Sequence, residues 1–493
     1  MTRPTGNVRC DRAAGAVLAS AAGDALGAPH EFGLALDPSF ELSMTGGGAF
    51  GWRPGEWTDD TQTSLAVLTP LADGLTGAAL LDQVGEGMLA WFGSRPPDVG
   101  NQTRAVLGAA VDRSKSLSEV AAAWVARHPQ ASGNGSLMRT GPVALDRCSR
   151  PELAQLAGGI SALTHASADT VEACVLWTDA IRRAIDAPVV ADGAVDWVRL
   201  VADGLEYVPE ERRSLWSDRL EACRTTPPEQ CISNGYVVTA LQAALSSLAQ
   251  TPVPGGQPCR HLRVAIERAV RIGDDTDTVA AITGSLAGAY WGATAVPLEW
   301  RSVLNGRATY DTSPLAAADL DRLARLAFNG GVDDNIGWPT VDSLLPYYAS
   351  HFPASPLAAP IDGSVTVGNV HALPAQVADV DVVVSLCRMG RHDVPDGIEH
   401  QVIGLLDTTA ADNPNLGFVL ADTADYVARC AAAGKRVFVH RVRAENRTPA
   451  VAAAYLMRTQ GLDADAAIDR VEMLTRSRPQ SFLTAGLREL AAS

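Results

Sequence analysis

The chain is 493 residues long, too long for one hydrophobic core, and its 47% apolar and 19% charged residues exclude disorder as the default state. With 40 Lys and Arg against 56 Asp and Glu, the net charge of −16 argues against general nucleic-acid binding, which needs a basic face. A small anionic ligand stays open, because a bound divalent metal inverts the local potential. The eight cysteines are scattered without a CxxC pair, which reads as reduced thiols of a cytoplasmic protein rather than a disulfide frame or zinc site. The opening MTRPTGNVRCDRAAG has no apolar h-region, so no signal peptide is expected.

From Asp11 to Ala28 the run DRAAGAVLASAAGDALGA has helical periodicity with small residues on its packing face; Asp24 lies near its end and Pro29 stops it. Glu31 follows in the exit loop GAPHEF. A glycine-rich loop from Leu42 to Glu56 then leads into Trp57-Thr58-Asp59-Asp60-Thr61. Here Thr58 is the expected N-cap of the next helix, with Asp59 and Asp60 in the first turn, where carboxylates are favoured. Capping accounts for one acid. Adjacent residues point about 100° apart on a helix, so a metal that draws a ligand from each explains the trio better. Asp98, after Pro96-Pro97, reads equally as a turn former or as a further acid of a site.

The segments between Val171 and Gln250 are largely helical scaffold broken by proline turns. At Arg271 to Gly292 the chain crowds Asp274, Asp275 and Asp277 into four residues ahead of an apolar helix, and Gly284, Gly288 and Gly292 recur on one face of it. That face lets a neighbouring helix approach closely and hold the carboxylates deep in a bundle. Three glycines and a carboxylate start mark the run as a buried core helix, not a membrane span. Thr58-Asp59-Asp60 and Asp275-x-Asp277-Thr278 each offer two carboxylates and a hydroxyl. Hard oxygen ligands of this kind suit a pair of Mg²⁺ or Mn²⁺ ions and argue against zinc or iron.

The series GDALGAPHEF, WTDDT, GNGSLMRTGPVAL, LTHAS and GDDTDTVAAITGSLAGA resembles the ADP-ribosylglycohydrolase family in order and spacing across roughly residues 10 to 306. The resemblance implies an all-α bundle whose binuclear Mg²⁺ or Mn²⁺ centre hydrolyses the glycosidic bond between ADP-ribose and a protein or small-molecule acceptor. It puts Thr58, Asp59, Asp60, Asp275, Asp277 and Thr278 on the metals and gives Glu31 the proton transfer. It also implies Asp98 as a second acid facing the ribose, which leans the substrate toward ADP-ribosyl-arginine. Gly133, Asn134, Gly135 and Ser136 become a nest for the pyrophosphate, and His165 a contact on the adenosine side. One departure is Asp274, where members often have glycine. The rival reading is a non-catalytic ADP-ribose or phosphate reader, which has no need of a general acid; a weaker third is another phosphohydrolase reaction at the same metals.

A helix is expected over Leu315 to Phe328, and Phe352 to Ser364 reads as a linker. The catalytic domain is thus expected over 10–351 and a second domain over 365–493. There, Val380 to Cys387 and Arg436 to His440 are short β-branched runs alternating with helical segments, the pattern of a small α/β domain. The stretch VFVHRVRAENRTPAVAAAYLM resembles the phosphate loop of dual-specificity phosphatases, with Asp407 where their general acid lies. His440, Arg447 and Thr448 match that loop, but Arg441 stands at the cysteine position. Arginine cannot act as the thiolate nucleophile, so this domain is expected to be inactive as a phosphatase.

Overall fold

The computed structural model describes residues 4–112, 114–190, 194–332 and 342–492. Two helices, Gly6–Gly27 and Thr276–Trp291, form the axis of the larger unit. Their backbones touch. A Cβ added to Gly288 would lie 2.0 Å from the Gly15 carbonyl oxygen, and one added to Gly284 would lie 2.1 Å from that of Ala19. With contacts this close, neither glycine can carry a side chain without driving the pair apart. Both helices are buried on nearly every side, as expected for helices that are apolar all round rather than amphipathic.

The helices Asp59–Ala72, Ala168–Asp186, Val237–Ala249 and His261–Val270 pack around this axis in one continuous core. The bundle is not wholly helical. Strands β1 (Asn305–Gly306) and β2 (Leu315–Ala316) form a short antiparallel ribbon, so the expected helix from Leu315 starts at Ala317. The ribbon steers the chain into the site, because the Trp57 amide donates to the Asn305 carbonyl at 3.0 Å.

The second unit holds a five-stranded sheet of β3 (Ala358–Pro360), β4 (Val365–Asn369), β5 (Val382–Ser385), β6 (Glu399–Val402) and β7 (Val437–Arg441). The spatial order is β3-β4-β7-β5-β6, parallel except for β3. Every residue of β5 is buried, and its unbroken Val run is the signature of a strand covered on both faces. Helices Leu416–Ala432, Arg447–Gln460 and Ala464–Thr475 cover one face.

Two boundaries differ from expectation. Residues 358–360 of the expected linker form edge strand β3. Helix Leu345–His351, expected in the first domain, packs Tyr348 with Leu373, Val383 and Phe438 on the other face of the sheet. Proline and alanine without periodicity hid an edge strand, the one place in a sheet that tolerates proline. The two units are joined by polar contacts: the Leu298 amide to Asp422 (2.9 Å), Arg301 to the Val402 carbonyl (3.0 Å) and Asn415 to the Trp291 carbonyl (2.7 Å). Among the described residues, no helix is long and apolar enough to cross a membrane.

Candidate active site

Asp24 organises the centre. It sits fully buried near the end of the first axial helix and accepts from the Thr58 amide (2.9 Å), the Thr61 amide (3.0 Å) and the Thr61 hydroxyl (2.6 Å). It therefore caps the helix Asp59–Ala72 from across the bundle. The expected cap, Thr58, makes no side-chain cap bond. Its hydroxyl instead turns toward Asp60 Oδ2 at 3.4 Å, and Thr278 Oγ1 donates to the same oxygen at 3.2 Å. The two distant motifs thus meet at Asp60.

Carboxylate oxygens gather in two groups that share one member. Asp24, Asp60 and Asp277 offer atoms within 4.8 Å of one another, and so do Glu31, Asp275 and Asp277. Asp24 already spends its oxygens on the capping bonds, so we assign it to orienting the ligands rather than to holding a cation. Burial first, then the neighbouring carboxylates, pushes Asp60 and Asp277 far above the usual carboxylate range. Two buried oxygens, Asp60 Oδ1 and Glu31 Oε2, have no hydrogen-bond partner among the described residues. Unpaired carboxylate oxygens crowded out of water are costly unless a cation faces them. The all-oxygen donor set fits a divalent cation.

Asp59 does not join either group. Burial first and then Asp98 push it well above the usual carboxylate range, and burial first and then Asp275 push the Asp98 carboxyl up to about 6. Asp98 thus shares the electrostatic field of the acidic centre. Glu31, in the short turn after the axial helix, is pushed up to about 9 by burial, then by Asp98, Asp275 and Asp24. Asp274 is exposed, with φ +63°. Its amide and carbonyl bridge to Gly33 and Phe32 (2.9 and 2.7 Å), so a left-handed turn, natural to glycine, explains the departure noted there. Asp274 is a backbone position and belongs to neither carboxylate group.

The loop Gly133 to Ser136 closes one side. The Asn134 side chain donates to Asp275 Oδ2 at 2.8 Å and to the Asn234 carbonyl at 3.0 Å. Asn134's own amide is consumed by the Gly235 carbonyl at 3.1 Å, which removes it from the expected pyrophosphate nest. Ser136 is fully buried and accepts from Ser161 at 2.9 Å. His165 is only 2% exposed. A Cβ on Gly135 would lie 3.2 Å from its ring, so the imidazole forms the floor beneath the loop rather than an open adenosine contact. Its Nδ1 pairs with the Thr164 hydroxyl at 2.7 Å, which also accepts from Arg139 at 2.6 Å. Burial and Arg139 hold the imidazole well below its ordinary pKa, hence neutral.

Two organising residues were not assigned a role from sequence. Asp24 carried a signal: a carboxylate inside an otherwise small and apolar helix needs a buried partner. Asn234, whose Oδ1 accepts from the Asp275 amide at 2.9 Å and whose Nδ2 donates to the Gly273 carbonyl at 3.1 Å, carried none. An Asn-Gly pair reads as an ordinary turn.

In the second unit, the loop after β7 brings Arg441 to Asp407 at 2.9 Å, both largely buried. Asn446 donates to the same carboxylate at 3.2 Å, and Arg447 donates to the Leu405 carbonyl at 2.6 Å. His440 is buried behind the loop, 2.8 Å from the Ser385 hydroxyl; burial first and then His400 push it down to about 3. The Thr448 hydroxyl has no hydrogen-bond partner among the described residues.

A helical bundle with a shared-carboxylate centre, a flanking glutamate and a Gly-Asn-Gly-Ser loop defines the class. The ADP-ribosylglycohydrolase family profile matches residues 5–331, and the chain belongs to that family. It is 30% identical over 309 residues to the ADP-ribosylarginine hydrolase Tri1 of Pseudomonas putida (strain GB-1), covering 59% of this chain and 73% of that protein. The ADP-ribosyl-dinitrogen reductase glycohydrolase of Rhodospirillum rubrum is 28% identical over 300 residues, covering 60% and 90%. A solved ADP-ribosylglycohydrolase-related protein complex superposes with a TM-score of 0.50 at 27% identity, covering 66% of this chain and 99% of that one.

Proposed function

We propose that this protein reverses ADP-ribosylation by hydrolysing the glycosidic bond between ADP-ribose and an acceptor, ADP-ribosyl-arginine being favoured. The observation that carries the reading is the pair of carboxylate groups sharing Asp277, with Glu31 in one of them. Thr58, Asp59, Asp60, Asp275, Asp277 and Thr278 would hold two divalent cations, Mg²⁺ or Mn²⁺. When bound, such cations supply charge that orients the ribose hydroxyls and polarises the reacting centre.

The chain's own groups do the rest. Glu31, held protonated near neutrality in the absence of a counter-charge, is the proton carrier at the leaving-group atom or the attacking water. Asp98 stands beside it as the second acid. Asn134 and Asn234 keep Asp275 in place from either side. The arginine preference rests on Asp98 and on the similarity to relatives named for that acceptor. A cytoplasmic setting accords with eight free cysteines.

The test is release of ADP-ribose from ADP-ribosyl-arginine by the purified chain in Mg²⁺ or Mn²⁺, against other ADP-ribosylated acceptors. Tight ADP-ribose binding without product from any acceptor would replace the hydrolase by a reader. For the second unit we propose a phosphatase-like fold without phosphatase activity. Arg441 occupies the nucleophile position and ion-pairs with Asp407, and a guanidinium has no electron pair to offer phosphorus.

A further inference from the structure

A cavity of about 440 Å³ lies between the two units, within the size range of small-molecule sites and well away from the acidic centre by residue content. The bundle contributes Arg301, Arg322 and Arg325 to its wall, and the sheet unit contributes Arg388, Arg391 and Arg447. Six guanidinium groups around one space in a chain of net charge −16 demand an explanation. Acids line the cavity too, but each is already engaged. Asp321 takes Arg325 in a two-pronged pair at 2.8 and 3.0 Å. Asp11 accepts from the Thr294 hydroxyl at 2.7 Å, and Asp319 caps its helix through the Ala316 amide at 3.0 Å. Glu399 holds Tyr426 and Lys435 at 2.5 and 2.6 Å, and Asp412 holds Thr5 and Thr408, each at 2.7 Å.

What remains is cationic. Arg301 donates to one carbonyl, Arg447 donates to another, and Arg322 comes no nearer than 3.8 Å to Asp319. Each of these three has a buried Nε without a hydrogen-bond partner among the described residues. For all three, burial is the first cause pulling the guanidinium below its ordinary pKa. Apolar wall is present beside the charge, from Leu304, Met389, Leu405 and Val419.

We infer that this interdomain cavity is a binding site for an organic phosphate of nucleotide size, its phosphoryl groups taken by arginines from both units and its organic part by the apolar wall. Guanidinium forks match phosphate oxygens in pairs, and three wall arginines with no carboxylate nearer than 3.8 Å among the described residues, Arg301, Arg322 and Arg447, favour such a ligand over a neutral one. The site is independent of the hydrolase reading, because none of its wall belongs to the carboxylate groups.

The experiment uses the full chain in EDTA, with ADP, inorganic phosphate and adenosine as separate calorimetric probes. ADP should bind with saturation at a site that Asp275→Asn/Asp277→Asn leaves intact. Phosphate should bind more weakly, adenosine not measurably, and added salt should weaken ADP. Arg322→Gln and Arg447→Gln should each weaken ADP at least about tenfold, or about 1.4 kcal/mol. Ala318→Trp, at an exposed position on the cavity wall, should block entry with all arginines kept, so that a variant that fails to fold does not decide the question. Absence of ADP binding to the unaltered chain overturns the proposal, as does ADP binding that Ala318→Trp and both arginine variants leave unchanged.

Discussion

The acidic centre of the bundle and the loop after β7 of the sheet unit are both buried and both charged, yet they handle their charge in different ways. In the bundle, carboxylates face carboxylates, and Asp60 Oδ1 and Glu31 Oε2 are left without a partner. In the loop, the cation Arg441 meets its own counter-ion, Asp407, inside the chain, while Asp407 Oδ1 and Arg441 Nε keep no hydrogen-bond partner among the described residues. A site that withholds charge compensation stores a demand for a ligand. One that pairs opposite charges within the chain meets most of that demand itself, and what is left over is what Arg447 offers to the space beside it.

Breaking the bundle site gives the largest expected effect. Asp275→Asn/Asp277→Asn should cut ADP-ribose release by more than about 10⁴-fold, the scale of losing oriented metal-assisted chemistry. The metal-free Tm should be no lower than that of the unaltered chain, because repulsion is relieved. The Tm rise on adding Mn²⁺, about 2.7 kcal/mol of stabilisation at a hundredfold excess over Kd, should vanish. Retained metal-dependent stabilisation in the double variant would remove these residues from the centre.

Glu31→Gln should lower kcat about 10² to 10⁴-fold while KM moves little, as steady-state assays on ADP-ribosyl-arginine would read. Equal losses in binding and turnover would make Glu31 a binding group instead. On the loop side, Arg441→Ala strands a buried carboxylate and should cost about 3 to 5 kcal/mol, measured by denaturant unfolding of the full chain. The paired change Arg441→Met/Asp407→Leu should recover most of it, with hydrolase activity kept throughout. The smallest effect is expected from Asn234→Ala, which frees the Asp275 amide and the Gly273 carbonyl. It should cost about 1 to 3 kcal/mol of stability and lower metal affinity about tenfold or more through the misplaced ligand.

Much of this was legible in the chain itself. The i+4 glycines announced a close helix crossing, and the partner helix supplies Gly15 and Ala19 at the contact. The two oxygen-rich motifs announced a shared centre, because no other fold of charge explains five acids at helix entrances. Less legible were the role of Asp24 and the burial of His165, since each depends on which neighbour a side chain meets.

Sequence alone therefore determined the donor chemistry and the helical and sheet-bearing units, since residue type and local spacing set these. Tertiary packing alone decided that Asp24 caps a helix from another part of the chain, that β3 completes the sheet from within an apparent linker, and that arginines from two units surround one cavity. Those facts depend on contacts between residues tens to hundreds of positions apart, and no local periodicity encodes such distances.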